Sequence, residues 1–121
     1  MPAARRQEAL EEVQKEARAL GVGTLVMPTD TSDSTQVKAL VHASLGRFGK
    51  IDVFVADAGM YFRCPVRDLA VEHSEHVMAV SFYGRLHSLV EVPPHMIARR
   101  SGHIVVVSTC RRSSRDASIP P

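Results

Sequence analysis

His73 and His76 stand three residues apart, close to one helical turn, and His87 follows eleven residues after His76 near the same face. Three imidazoles in that pattern could bind zinc. No nearby cysteine or assured carboxylate completes a tetrahedral set, so no metal is expected and solvated histidines are the plainer account. Cys64 and Cys110 are the two cysteines and lie outside any C-x-x-C spacing, which indicates neither a disulfide framework nor a zinc cluster. Arg111, Arg112 and Arg115 beside Ser113 and Ser114 would suit an acidic partner or a basophilic kinase, or form a solvated tail. Gly21 and Gly23 follow a helical stretch and precede an apolar one, the reverse of the strand-turn-helix order that cradles a phosphate.

Composition narrows the classes in which such residues could act. The 121 residues are 45% apolar and 23% charged, which excludes disorder and fits one domain. Fifteen Lys and Arg against thirteen Asp and Glu leave a net charge of +2, too balanced for a chain whose affinity comes from neutralising phosphates, so no nucleic-acid partner is expected. No apolar run exceeds four residues, and the opening MPAARRQEAL has no apolar segment. No membrane segment or signal peptide is therefore expected, and a cytoplasmic setting is.

The elements that must position any site can be read from periodicity. Leu10, Val13, Ala17 and Leu20 recur at helical spacing, with Glu11, Glu12, Lys15, Glu16 and Arg18 on the other faces, and Gly21 ends the helix. Residues 24–27 are short, apolar and β-rich, and Pro28 bounds the strand they predict. Asp33 with Gln36 three residues on predicts an N-cap and its reciprocal side chain. Val37, Leu40, Val41, Leu45 and Phe48 then form one stripe that Gly49 ends. Residues 51–55 read as a strand covered on both faces, followed by a loop through Gly59 and Pro65.

A helix over 71–96 carries Val77, Val80, Leu86, Leu89 and Val90, with a bend or end near Pro93 and Pro94. Ala70 at its N-cap, in place of Ser or Thr, weakens its start by about 1 kcal/mol. Gly102 precedes a third strand over 104–107. The alternation α-β-α-β-α-β, without internal repeats, is that of an α/β domain with a parallel sheet and right-handed crossovers.

Three stretches in order, PTDTSDSTQVKALVHASLGRFGKIDVFVADAG, VMAVSFYG and PPHMIARRSGHIVVVST, resemble the short-chain dehydrogenase/reductase family of NAD(P)-dependent oxidoreductases on a Rossmann-type fold. The likeness runs over about 4–109 and leaves a polar tail over 110–121. The resemblance implies an incomplete Rossmann-like three-layer α/β fold, one partial domain over 1–121, with about three parallel strands and three helices. It also implies a place for particular residues. Ala56 and Asp57 stand in the two Asn places of the family's Asn-Asn-Ala-Gly, with Ala58 and Gly59 retained. Gly59 would let a ribose approach the backbone, or serve as a plain turn glycine. Asp30 of Asp30-Thr31-Ser32-Asp33 fits the residue that contacts the adenine end of the cofactor. It could accept the adenine amino group or bond local amides. Arg5 resembles the basic residue that pairs with the 2′-phosphate of NADP, and read on its own it is an exposed cation. The implied cofactor is NADP, or NAD, and the implied substrate a small alcohol or carbonyl compound.

The family's chemistry uses an Asn, a Ser, a Tyr and a Lys: the Tyr exchanges a proton with the substrate oxygen, the Lys lowers its pKa and the Ser orients the substrate. Here the Asn position holds Ser81. The Ser position aligns best with Thr109, with Ser108 one place earlier. Tyr61 and Tyr83 have no Lys four residues on, and no Thr-Gly-x-x-x-Gly-x-Gly turn is present. In a sheet of order 3-2-1-4-5-6, strands 24–27 and 51–55 would be third and fourth, with strands one and two between them. They would stand roughly 14 Å apart, too far to share hydrogen bonds. Unpaired buried strand groups at about 1 to 3 kcal/mol each would exceed the stability of a small domain. The expectation is a truncated record of an enzyme, or a collapse into a three-stranded sheet, with the isolated chain not catalytically competent. The alternative is a non-catalytic interaction or oligomerisation module, a homo-oligomer formed through helix 71–96, with Tyr83 and Leu86 meeting another subunit.

Overall fold

Helix α1 (Gln7–Ala19) closes as its glycine requires. Gly21 has φ +74°, its N–H bonds the Arg18 carbonyl and the Val22 N–H bonds the Ala17 carbonyl, both at 3.0 Å, a Schellman closure. Glu8 in the first turn and Arg18 in the last complement the helix dipole. The structure, a computed structural model, describes residues 4–60 and 63–108.

Helix α2 (Ser34–Phe48) begins as its sequence predicts. The Asp33 carboxylate accepts from the N–H groups of Thr35 at 2.8 Å and Gln36 at 3.3 Å. The Gln36 side chain then reaches past the N-cap: its Nε2 donates to Asp33 and its Oε1 accepts from the Asp30 N–H at 2.9 Å. The cap thereby fastens the turn over 30–33 to the helix. Gly49, at φ +75°, ends α2 with its N–H on the Leu45 carbonyl.

Strands β1 (Val53–Ala56) and β2 (His103–Val106) pair in parallel, Val53 opposite His103 and Ala56 opposite Val106. The ladder extends by bonds from the His103 N–H to the Asp52 carbonyl and from the Val107 N–H to the Ala56 carbonyl. Between the strands run α3 (Val71–Met78), a π-turn over Ala79–Tyr83, α4 (Gly84–Glu91) and α5 (Pro93–Arg99). The helix expected over 71–96 is thus interrupted at Pro93, as its prolines predict, and a second time by the π-turn. Pro93, lacking an N–H, stands at the first position of α5, and the wide turn interrupts the helix where Ser81 bonds the chain after Gly59. Ala70 gives α3 no side-chain cap.

Val41, Val92 and Met96 form the buried core, with Leu45, Ile51 and Phe54 packed on it. Arg99 clips the end of α5 to the start of β1, donating to the Ile51 carbonyl at 3.2 Å and to Asp52 Oδ1 at 2.8 Å. The α/β architecture with a parallel sheet is as read from sequence, with two differences of detail. Residues 24–27 form no ladder, since the sheet among the described residues is β1 and β2 alone; the chain there is tied by the Thr29 N–H to the Ala4 carbonyl at 3.0 Å. The β1 strand is covered on its Phe54 and Ala56 face, while Val53 and Val55 are 58% and 53% exposed. The described chain therefore neither covers both faces of β1 nor collapses into a three-stranded sheet.

A Cβ on Gly102 would stand 2.4 Å from Met96 Cγ and 2.8 Å from its Cβ, inside the core. Gly102→Ala is expected to destabilise the chain by about 1 to 3 kcal/mol, because Met96 is held in place by its neighbours. A urea midpoint equal to that of the parent chain would show that Met96 moves freely.

Candidate functional site

The turn over 30–33 gathers its own polar groups before any ligand arrives. Asp30 Oδ1 accepts from the Ser32 N–H at 2.9 Å and the Ser32 hydroxyl at 2.7 Å. These two bonds hold the Asp30 carboxyl below its ordinary value, the side-chain bond more than the backbone one; Arg5 and His76 help, and partial desolvation opposes. Of the two roles open to Asp30, local amide acceptor is thus realised at one oxygen, and Oδ2 has no hydrogen bond among the described residues.

Gly84 seats α4 against this turn. A Cβ there would lie 2.7 Å from Thr31 Oγ1 and 3.2 Å from the Thr31 carbonyl oxygen, so only glycine lets the helix approach the backbone. One turn on, His87 Nδ1 lies 3.1 Å from the same carbonyl, which fixes the proton on Nδ1. This backbone contact gives His87 a structural task. Among the described residues no group of three or more His, Cys, Asp or Glu is arranged to hold a metal.

The carboxyl end of β1 supplies the facing wall. Ala56 is buried at the strand's end, and Asp57, Ala58 and Gly59 emerge exposed from it. Gly59 does not have a positive φ, so a left-handed turn does not account for it. A Cβ there would meet Arg85 Nη2 at 3.4 Å, an ordinary contact, so Arg85 lies beside Gly59 without crowding it. Arg5, Asp30, Thr31, Ala56, Ala58, Gly59 and Arg85 all line one cavity of about 1110 Å³ between the turn and β1.

All five residues expected to contact the cofactor therefore border a common space. The expected catalytic residues fare differently. The Met60 N–H donates to Ser81 Oγ at 2.9 Å, and the Ser81 hydroxyl donates to the Met60 carbonyl at 3.1 Å. Ser81 thus splints the loop after Gly59 to the π-turn. Ser108 is exposed two residues beyond β2, and Thr109 lies outside the described residues. Arg85 and Thr31 were not singled out by sequence; the position of Arg85 directly after Gly84 in the VMAVSFYG run was the available signal.

Comparison with known proteins identifies the family and the fold. A family model described as short chain dehydrogenase matches residues 1–115. An uncharacterised oxidoreductase of Listeria innocua is 31% identical over 107 residues, 88% of this chain and 43% of its own. A dehydrogenase/reductase of Bos taurus, SDR family member 7B, is 34% identical over 87% of this chain and 34% of its own. Among solved structures, a 3-ketoacyl-ACP reductase from Sinorhizobium meliloti superposes with TM-score 0.83 at 30% identity, over 88% of this chain and 42% of that one. A metagenomic short-chain oxidoreductase solved in complex with NADP gives 0.82 at 29%, over 90% of this chain and 50% of that one.

The chain belongs to the short-chain dehydrogenase family, with the α/β Rossmann-type fold of its members. It spans half or less of the length of these relatives. No helix among the described residues is long and apolar enough to cross a membrane.

The Asp30 bonds give a pH test. Because its folded pKa lies below the ordinary 3.8, its contribution to stability is fully present above pH 3.8 and is lost as pH falls through the folded value. Asp30→Asn is expected to reduce the acid-side loss of stability, read as urea midpoints at successive pH values below 5. Identical acid limbs for the two chains would show that the Ser32 bonds do not favour the charged form.

Proposed function

We propose that this chain forms the adenosine side of an NAD(P)-dependent oxidoreductase that interconverts alcohols and carbonyl compounds. The observation that carries the reading is the shared cavity: the Asp30 turn, the β1 end through Gly59, and Arg5 border one space. Their chemistry suits the ligand. Asp30 Oδ2 can accept the adenine amino group, Gly59 leaves room for a ribose, and Arg5 can pair with the 2′-phosphate that distinguishes NADP from NAD. Bound NAD(P) supplies or takes the hydride of the reaction.

Toward the nicotinamide, Thr109 and Ser108 are assigned to orienting the substrate oxygen through a hydroxyl. Ser81 is assigned to holding the loop between cofactor and substrate, as its two bonds to Met60 support. Proton exchange at the substrate oxygen needs an acid, and no Tyr-x-x-x-Lys pair stands in these 121 residues to provide it. The isolated chain is therefore expected to bind nucleotide without turning over.

A second reading, an oligomerisation module, is favoured by the exposure of Tyr83 and Leu86, at 50% and 43%, along the outer side of the π-turn and α4. Light scattering of the purified chain and of a Tyr83→Ser, Leu86→Ser pair tests it, a dimer that the pair dissolves being the expected result.

For the main reading, NADPH is titrated against the chain by calorimetry. Asp30→Ala is expected to weaken binding about tenfold, the size of one lost hydrogen bond between charged and neutral groups. NADPH oxidation by the bare chain with any of a panel of ketones and aldehydes would overturn the expectation of silence, and absence of nucleotide binding would overturn the reading itself.

A further inference from the structure

Arg85 has no settled task among the described residues. It stands on α4 immediately after Gly84, borders the cavity, and its guanidinium reaches Gly59. Its Nε is shielded from solvent with no hydrogen-bond partner, and no described side chain forms an ion pair with it. A guanidinium stays charged at all physiological pH and carries five donors in a rigid fork. Such a group, held against a cavity wall without a carboxylate to neutralise it, is complementary to a planar or tetrahedral oxyanion inside that cavity.

Two features hold it there. The Gly84 contact with Thr31 fixes the start of α4, and the guanidinium lies against the loop at Gly59, 3.4 Å from where a Cβ would stand. The other formal charges on the cavity wall are Arg5, Arg6 and Lys50 against Asp30, Asp52 and Asp57. With Arg85 the wall therefore carries one positive charge in excess, and Asp30 stays ionised with Oδ1 turned to its own Ser32.

We propose that Arg85 is a second anion-binding residue of this cavity, beside Arg5, and takes a phosphate monoester carried by the adenosine moiety. The assignment rests on the adenosine reading given above and adds a contact to it. A phosphate on the ribose could occupy the 2′ or the 5′ position; the chemistry that Arg85 recognises is the same.

The test is a calorimetric titration of the 121-residue chain with adenosine, 2′-AMP, 5′-AMP and inorganic phosphate, repeated with Arg85→Leu, Arg85→Gln and Arg85→Lys. At least one monophosphate is expected to bind about tenfold more tightly than adenosine. Leu and Gln should abolish that advantage while leaving adenosine affinity within about twofold, and Lys should restore part of it. The favoured isomer identifies the phosphate position. Should Leu unfold the chain, judged by its helical circular dichroism, the Gln variant carries the test, since it keeps the polar chain and loses the charge.

Equal affinities of the parent and the Gln variant for both monophosphates would overturn the proposal, as would an equal loss of adenosine binding. Inorganic phosphate binding as tightly as the nucleotides would reduce the site to an adventitious anion and also overturn it. Monophosphate binding that depends on Arg85 while neither adenosine nor NADPH binds would leave the anion site standing and remove the adenosine reading instead.

Discussion

The approach of α4 to the turn over 30–33 is the contact on which the site depends. A helix axis comes that near a backbone carbonyl only where a side chain is missing, and residue 84 is a glycine. Any larger residue would push α4 off Thr31. With α4 would go the His87 bond to the Thr31 carbonyl, the Arg85 contact at Gly59 and, through the π-turn, the Ser81 link to Met60. The turn over 30–33 and the loop after β1 are both fixed by these contacts. The rigid element therefore does the positioning while the loops present the functional groups, a division of labour general to ligand sites.

The parts of the chain legible in sequence are those settled by near neighbours. The Asp33 cap, the left-handed Gly21 and Gly49, and the restart at Pro93 each follow from the chemistry of one or two residues. Residues 24–27 show the opposite case. Their β-rich composition is real, yet a strand exists only through its partner, and composition does not say whether a partner lies alongside. The π-turn is similar, since 79–83 contain neither proline nor glycine, and its most evident tie is a serine bonded to a backbone twenty-one residues away.

At the site, the residues that the resemblance named and that share one cavity are those that backbone placement alone brings together. Ala56, Ala58 and Gly59 border the cavity because they end a strand, and the strand was readable. The resemblance could not foresee that the Ser81 hydroxyl is already engaged on both its donor and acceptor sides, nor that an arginine follows Gly84 into the cavity wall. Side-chain commitments made across the fold leave no periodic trace in sequence. The Gln36 bond to the Asp30 N–H falls between the cases: the local pattern announces a cap, and the side chain carries that cap three residues further upstream to the turn over 30–33.

The same placement alters the energetic objection to a sheet without its centre. An unpaired strand group costs about 1 to 3 kcal/mol only when it is hidden from water. Here β1 pairs with β2 on one side and borders the cavity on the other, and Val53 and Val55 are more than half exposed, so water reaches the strand. What the described chain forgoes is apolar cover, at roughly 25 cal/mol for each Å² left in solvent. The penalty is therefore one of exposed valines and isoleucine on both strands, and not one of orphaned amides. Anything that enters the cavity and covers Val53 and Val55 binds the folded chain in preference to the unfolded one, and so stabilises the fold by mass action.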